Sequence, residues 1–207
     1  MPKIDAYNVV REFEKAIANF TGAPYAVSVE SCSAALFLSC LYYDVKRVVQ
    51  VLVPKYTYPS VPASVINAGG RVVFRDIEWQ EKGLYKLGNT PIIDSAKKLS
   101  RRMYIPGHLV CLSFHGKKIL PIGRGGMILT DSEDAMRWLK VARFDGRHEK
   151  VSLTTDVLTM PGWNMYMMPE QAARGLVLLQ WLPDDNIAPP DPYQDLSKYK
   201  FYTEANR

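Results

Sequence analysis

Residues 111–131 read CLSFHGKKILPIGRGGMILTD: an apolar run that stops at Ser113, two adjacent lysines, a glycine-rich turn and a second apolar run. Gly116-Lys117 invites a phosphate-loop reading. That motif needs a second glycine five positions before the glycine-lysine pair and Ser or Thr directly after the lysine. Cys111 and Lys118 stand at those positions, so the reading fails. What remains is a buried strand whose carboxyl end leads into Ser113, His115, Lys117 and Lys118, followed by a second strand at GMILTD.

Working outward, the same kind of element recurs. Val9, Val10, Phe13, Ile17 and Phe20 form one helical stripe that Gly22 can close. YAVSV then reads as a short buried strand, and Ser31-Cys32-Ser33 as the turn that opens the apolar helix AALFLSCLYY. RVVQVLVP, GRVVFRDI and TPIID are further strands, YPSVPASVINAG and SEDAMRWLKVARF are helices, and another helix starts near Pro169, where proline suits a first turn. Strands alternating with helices predict the α/β class: a mostly parallel central sheet with helices on both faces. In such sheets ligands bind beyond the carboxyl ends of the strands. That rule selects Ser31 to Ser33, Tyr56 to Tyr58, Asp94, and Ser113 to Lys118.

The chain as a whole sets bounds. With 207 residues, 47% of them hydrophobic and 23% charged, one main globular domain is expected, with no repeat or low-complexity tract. The expected division is a body over residues 1–182 and a proline-rich arm or tail over 183–207. Cys32, Cys40 and Cys111 are odd in number and widely spaced, which argues against a disulfide framework and a zinc site and fits a reducing cytoplasm. The amino-terminal stretch is too charged for a secretory signal, and no apolar run nears the roughly eighteen residues of a membrane span. A net charge of +5 with scattered basic residues points away from nucleic acid and toward small anionic ligands.

The residues at the strand ends are a lysine, an aspartate, small hydroxyls at a helix start and aromatic rings. Pyridoxal 5'-phosphate uses all four. A lysine amine holds it as a Schiff base, a carboxylate keeps its ring nitrogen protonated, hydroxyls and helix amino-terminal amides bind its phosphate, and an aromatic ring stacks on it. Singly, each residue has a plainer reading. Lys118 can be a solvated turn residue, Asp94 a helix cap, Ser31 to Ser33 only a helix start, His115 a packed or surface histidine and Tyr58 a core ring.

The joint pattern resembles the DegT/DnrJ/EryC1/StrS sugar aminotransferases, of the aspartate aminotransferase-like fold. It does so through SCSAAL, PKYTY, IDSAK, SFHGKK with GRGG, GWNMY and QAA, in the family's order from about Phe13 to Leu182. The resemblance implies that Lys118, five residues after Ser113, is the Schiff-base lysine, with Lys117 a neighbour. It implies that Asp94 pairs with the ring nitrogen, that Ser33, Ala34 and Ser113 bind phosphate, and that Tyr58 stacks on the ring. Asn164 would reach the cofactor of a neighbouring subunit, giving a homodimer with shared sites. The implied reaction moves an amino group from an amino acid, with glutamate the expected donor, to a nucleotide-linked keto sugar. The alternatives are a dehydratase-type reaction on the same cofactor, where relatives carry histidine instead of the lysine, and a shortened protein that binds a cofactor or partner without catalysis.

Several positions depart from the family's pattern. Lys97 stands where a glutamine is usual, near the cofactor's phenolic oxygen, and a cation there would favour the phenolate. Cys32 replaces a phosphate-loop glycine, Arg124 an acidic residue and Tyr166 an arginine. The sequence also stops at Arg207, short of the family's smaller carboxy-terminal domain, which is therefore expected to be reduced or absent. A dimer could compensate, with the tail and the Trp163 loop lying across the partner's site.

Overall fold

The computed structural model describes residues 5–48 and 50–204. Residues 1–4 of the expected body, residue 49 of the RVVQVLVP stretch and residues 205–207 of the tail lie outside them. The first helix, α1 (Asn8–Thr21), buries Val10, Phe13, Ile17 and Phe20, as its stripe predicts. It ends where Gly22 takes φ 76°, a left-handed conformation that glycine adopts without steric cost, and donates its N–H to Ala18 O. The chain continues through β1 (Tyr25–Val29), α2 (Cys32–Tyr42), β2 (Val51–Pro54), α3 (Ser60–Asn67) and β3 (Val72–Arg75). Then follow β4 (Tyr85–Lys86), β5 (Ile92–Asp94), β6 (Leu109–Ser113) and β7 (Gly126–Thr130), and last α4 (Glu133–Ala142), α5 (Pro169–Leu179) and the single-turn α6 (Lys200–Thr203).

Five strands form one sheet in the order β1-β7-β6-β5-β4, and β2 and β3 form a separate parallel pair. The α/β class holds, with helices on both faces. The pairing is mixed instead of mostly parallel: within the five-stranded sheet only β5 and β6 run parallel. The connections are the reason for these two pairs. A parallel return runs through a crossover of a dozen or more residues, usually a helix. The five residues between β4 and β5 are too few for one, and the twelve between β6 and β7 hold no helix to carry it, so each pair closes antiparallel. The short β4 itself had no counterpart in the sequence pattern.

Alternate residues of the strands feed two cores, which is why these runs are apolar throughout. Val27, Leu109, Cys111 and Ile128 pack with α2, α3 and α4, while Ala26, Val110, Leu112 and Leu129 pack with α1 and α5. Strand sense places the functional edge. Since β7 is antiparallel to both β1 and β6, and β6 is parallel to β5, the carboxyl ends of β1, β5 and β6 lie on one side of the sheet. Val29 pairs with Gly126, and Gly126 with Ser113, in register across that edge.

Candidate active site

The edge opens into a cavity of about 430 Å³, lined by Ser33, Tyr58, Asp94, Ser113 and Lys118 among others. Five of the predicted site residues, drawn from four separate stretches of chain, thus meet in one place. The size lies within the range of small-molecule and cofactor sites.

Asp94 ends β5 and is 5% exposed. Its Oδ2 accepts from the Tyr85 hydroxyl at 2.7 Å and its Oδ1 from the Ala96 N–H at 2.9 Å. The Tyr85 hydroxyl also lies 2.6 Å from Thr57 Oγ1. With the Tyr85 proton given to Asp94, the Thr57 hydroxyl must donate in turn, so a buried chain runs from Thr57 through Tyr85 to Asp94. Burial raises the Asp94 carboxyl above its ordinary range, against the opposing pull of the Tyr85 hydroxyl, the Ala96 amide and the Lys118 ammonium. Burial also pushes the Tyr85 hydroxyl well up, and the Asp94 charge adds to it.

The helix start is built by α2. Ser31, in an extended conformation, caps it by accepting the Ala34 N–H at 3.1 Å, and Ala35 N–H returns to Ser31 O. The Ala34 amide is thereby already used. The first-turn amides of Cys32 and Ser33 have no helical carbonyl and form the anion-binding end of the helix. Gly126 permits this arrangement, because a Cβ there would stand 2.4 Å from the Ser31 carbonyl carbon. Ser33 Oγ donates to Ser60 Oγ at 2.7 Å, joining the α2 and α3 starts. Ser31, Ser33, Ser60, His115 and Arg124 also line a wider groove of about 810 Å³, which adds Ala34 and Trp163.

Lys118 is half-buried in a turn, its N–H bonded to His115 O at 2.8 Å, whereas Lys117 and His115 are exposed. Arg124 is paired with Glu30 at 2.6 Å. Two expected site residues stand apart. Lys97 is 1% exposed and does not line the cavity; its ammonium bonds Pro189 O and, at 2.9 Å, Asp191 Oδ2. Asn164 donates to Asp145 Oδ2 at 3.1 Å, away from the cavity. The Trp163 ring packs edge-on against Phe37 of its own chain.

Tyr85, Trp79, Asp191 and Tyr193 were not singled out from the sequence, yet all four belong to the site or its support. Tyr85 sits in a two-residue strand without periodicity. Asp191 and Tyr193 lie in the proline-rich tail, where composition reports stiffness but not the surface covered.

The donor set fits pyridoxal phosphate. Asp94 receives hydrogen bonds from neutral donors only, and among the described residues no cation forms an ion pair with it. A buried carboxylate of this kind is costly unless a positive partner joins it, and a protonated ring nitrogen is such a partner. Free helix amides and serine hydroxyls suit a phosphate, and Lys118 shares the cavity. Among the described residues no cluster of His, Cys, Asp or Glu could hold a metal ion, and no helix is long and apolar enough to cross a membrane.

The sequence model of the DegT/DnrJ/EryC1/StrS aminotransferase family matches residues 2–84 and 101–187. The interval between them carries Asp94 and Lys97. Among curated proteins the chain is similar to the spore coat polysaccharide biosynthesis protein SpsC of Bacillus subtilis, 27% identical over 222 residues, covering 84% of this chain and 57% of that one. It is also similar to the GDP-perosamine synthase of Caulobacter vibrioides, 24% identical over 217 residues, covering 86% and 57%. Among solved structures, the aminotransferase from Psychrobacter cryohalolentis superposes with a TM-score of 0.71 at 21% identity, over 85% of this chain and 57% of that one. The chain therefore spans just over half the length of these relatives, and the structural likeness concerns the fold.

Proposed function

The chain belongs to the DegT/DnrJ/EryC1/StrS aminotransferase family, and from that premise we propose that it is a pyridoxal-phosphate-dependent aminotransferase. It moves an amino group from an amino acid, glutamate by expectation, to a nucleotide-linked keto sugar. The observation that carries this reading is the meeting of Asp94, Lys118 and the free amino-terminal amides of α2 around one cavity. Bound there, pyridoxal phosphate supplies an electron sink for amino transfer.

The chain's own residues have these roles in the proposal. Lys118 Nζ would hold the cofactor covalently and, once released, would act as general base and acid, moving the proton between the substrate carbon and the cofactor carbon. Asp94 accepts a hydrogen bond from the ring nitrogen and keeps it protonated, while Tyr85 and Thr57 keep Asp94 oriented. Ser33, Ser113 and the first-turn amides at Cys32 and Ser33 hold the phosphate, with Ala34 at the same helix start. Tyr58 covers the ring, and Leu36 and Val61 line the cavity and exclude water. Residues 1–182 form the cofactor-binding body and 183–207 an arm upon it. Asn164 serves a second copy's cofactor in a homodimer, and the protein works in the cytoplasm.

The test is spectroscopic. Protein supplied with pyridoxal phosphate is expected to turn yellow, to lose that absorbance in Lys118→Ala, and to respond to glutamate. Protein that takes up no pyridoxal phosphate refutes the proposal. An absorbance indifferent to every amino donor leaves the cofactor site but refutes transamination.

A further inference from the structure

After α5 the chain runs back along the loop that follows β5 as an ordered strap. The carbonyls of Asp184 and Asn186 accept from the N–H groups of Arg101 and Leu99 at 2.6 and 3.2 Å, and Ala188 N–H donates to Lys97 O at 2.8 Å. Farther on, Leu196 is buried and donates its N–H to Lys55 O at 2.9 Å, and the Tyr202 hydroxyl reaches Pro59 O at 3.1 Å. Pinned on both sides, the middle of the strap carries Asp191 and Tyr193 into the cavity wall.

That placement is fixed from beneath. The buried Lys97 ammonium binds Asp191 Oδ2, the Asp191 N–H donates to Gln80 Oε1 at 2.7 Å, and the Tyr193 hydroxyl donates to the same Oδ2 at 3.0 Å. The Tyr193 ring stacks on Trp79 with centroids 5.9 Å apart, and Trp79 leans on Tyr85 at 4.7 Å. The Lys97 bond holds the Asp191 carboxyl below its usual range, so it is an anion at neutral pH. Its side chain is half exposed, and both of these donors use Oδ2, which leaves Oδ1 to accept from a ligand. An anionic acceptor repels carboxylates and phosphates but takes hydrogen bonds from hydroxyl and ammonium groups. Lys117 and Arg124, which line the same cavity, have the opposite preference. The family match ends at residue 187, so Asp191 and Tyr193 lie in sequence that the family's pattern does not cover.

We propose that Asp191 and Tyr193 are specificity-determining residues that receive the hydroxyl-bearing sugar ring, which carries an amino group once aminated, leaving the anionic groups of the sugar nucleotide to Lys117 and Arg124. This rests on the aminotransferase reading above. Lys97 is then a positioning residue that acts through Asp191.

The test uses the cofactor-loaded full chain with three amino donors: L-glutamate, GDP-perosamine and a UDP-linked 4-amino-4,6-dideoxy sugar. The half-saturating concentration is read from the cofactor absorbance, and hydrogen exchange is followed at the Asp191 and Tyr193 amides. The half-saturating amino sugar concentration is expected to rise about tenfold or more for Asp191→Asn, as for loss of a hydrogen bond to a charged group, and about threefold or more for Tyr193→Phe, as for a neutral one. Glutamate and pyridoxal phosphate affinity should stay within about twofold. In the unsubstituted protein the bound amino sugar should slow exchange at both amides. Unchanged amino sugar response in variants whose strap remains protected overturns the proposal, as does equal weakening toward all three donors and the cofactor. Protein that takes up pyridoxal phosphate but whose strap amides ignore both amino sugars overturns this proposal alone. Protein that takes up no pyridoxal phosphate overturns the aminotransferase reading and this one with it.

Discussion

Replacing Tyr85 by phenylalanine removes one oxygen from the buried Thr57-Tyr85-Asp94 chain and leaves the ring packing in place. The change deletes a 2.7 Å bond to a buried carboxylate and leaves the Thr57 hydroxyl without its partner at 2.6 Å. A hydrogen bond to a charged group is worth about 1.5–3 kcal/mol. In a chain of this length each kcal/mol moves Tm by roughly 2–4 °C, so a loss of about 2 kcal/mol lowers Tm by about 4–8 °C. The cost depends on pH with a definite sign. The Asp94 carboxyl is raised in the folded state, so between its unfolded and folded values the native protein holds the extra proton and stability falls as pH rises. Tyr85 opposes that rise, so its removal widens the window. Urea unfolding of both cofactor-free proteins from pH 4 to pH 8 should give a stability difference that is small while Asp94 is protonated and grows toward neutral pH. A difference that is zero, or constant across this range, would refute the view that Tyr85 supports an ionised Asp94.

Three further outcomes follow from the packing. Glu14 is 5% exposed and accepts from Arg143 at 2.6 Å and from the Ser28 hydroxyl and amide, so Glu14→Gln leaves the buried guanidinium partly uncompensated. A loss of about 3 kcal/mol is expected in denaturant unfolding. Burial pushes the Glu14 carboxyl up, but Arg143 and Lys140 together hold it lower, so its stabilisation is present above the unfolded value and lost as pH falls through the folded one. The variant should therefore show a flatter acid limb than the unsubstituted protein. Gly126→Ala drives a methyl group into the Ser31 backbone, and calorimetry should show destabilisation of about 2 kcal/mol or more together with weaker pyridoxal phosphate binding. Lys97→Gln should accelerate hydrogen exchange at Ala188 and Asp191 while leaving the pH titration of the bound cofactor's absorbance in place. Unchanged exchange at both amides would refute the view that Lys97 holds the strap.

Much of the site was legible because it sits on strand ends, and strand ends follow from apolar runs and their stops. YAVSV, TPIID and the apolar run that stops at Ser113 became β1, β5 and β6, and residues that end or follow them, Ser33, Asp94, Ser113 and Lys118, meet in the cavity. The position of Lys97 was not legible: Asp94 faces the cavity, while whether a side chain three residues on turns toward it or beneath the strap depends on a partner 94 residues away.

The sequence by itself determined the α/β class, the two-sided burial of the strands and the loop that delivers Lys118, because period, apolar runs and turn residues are local properties of the chain. Only the tertiary structure decided that β7 returns antiparallel, that Tyr85 holds Asp94, and that Asp191 and Tyr193 wall the cavity. Asp191 is held to Lys97, 94 residues away, by one hydrogen bond, and Tyr85, though only nine residues from Asp94, sits in a two-residue strand too short to show a period; no local pattern encodes which donor a buried acceptor will find.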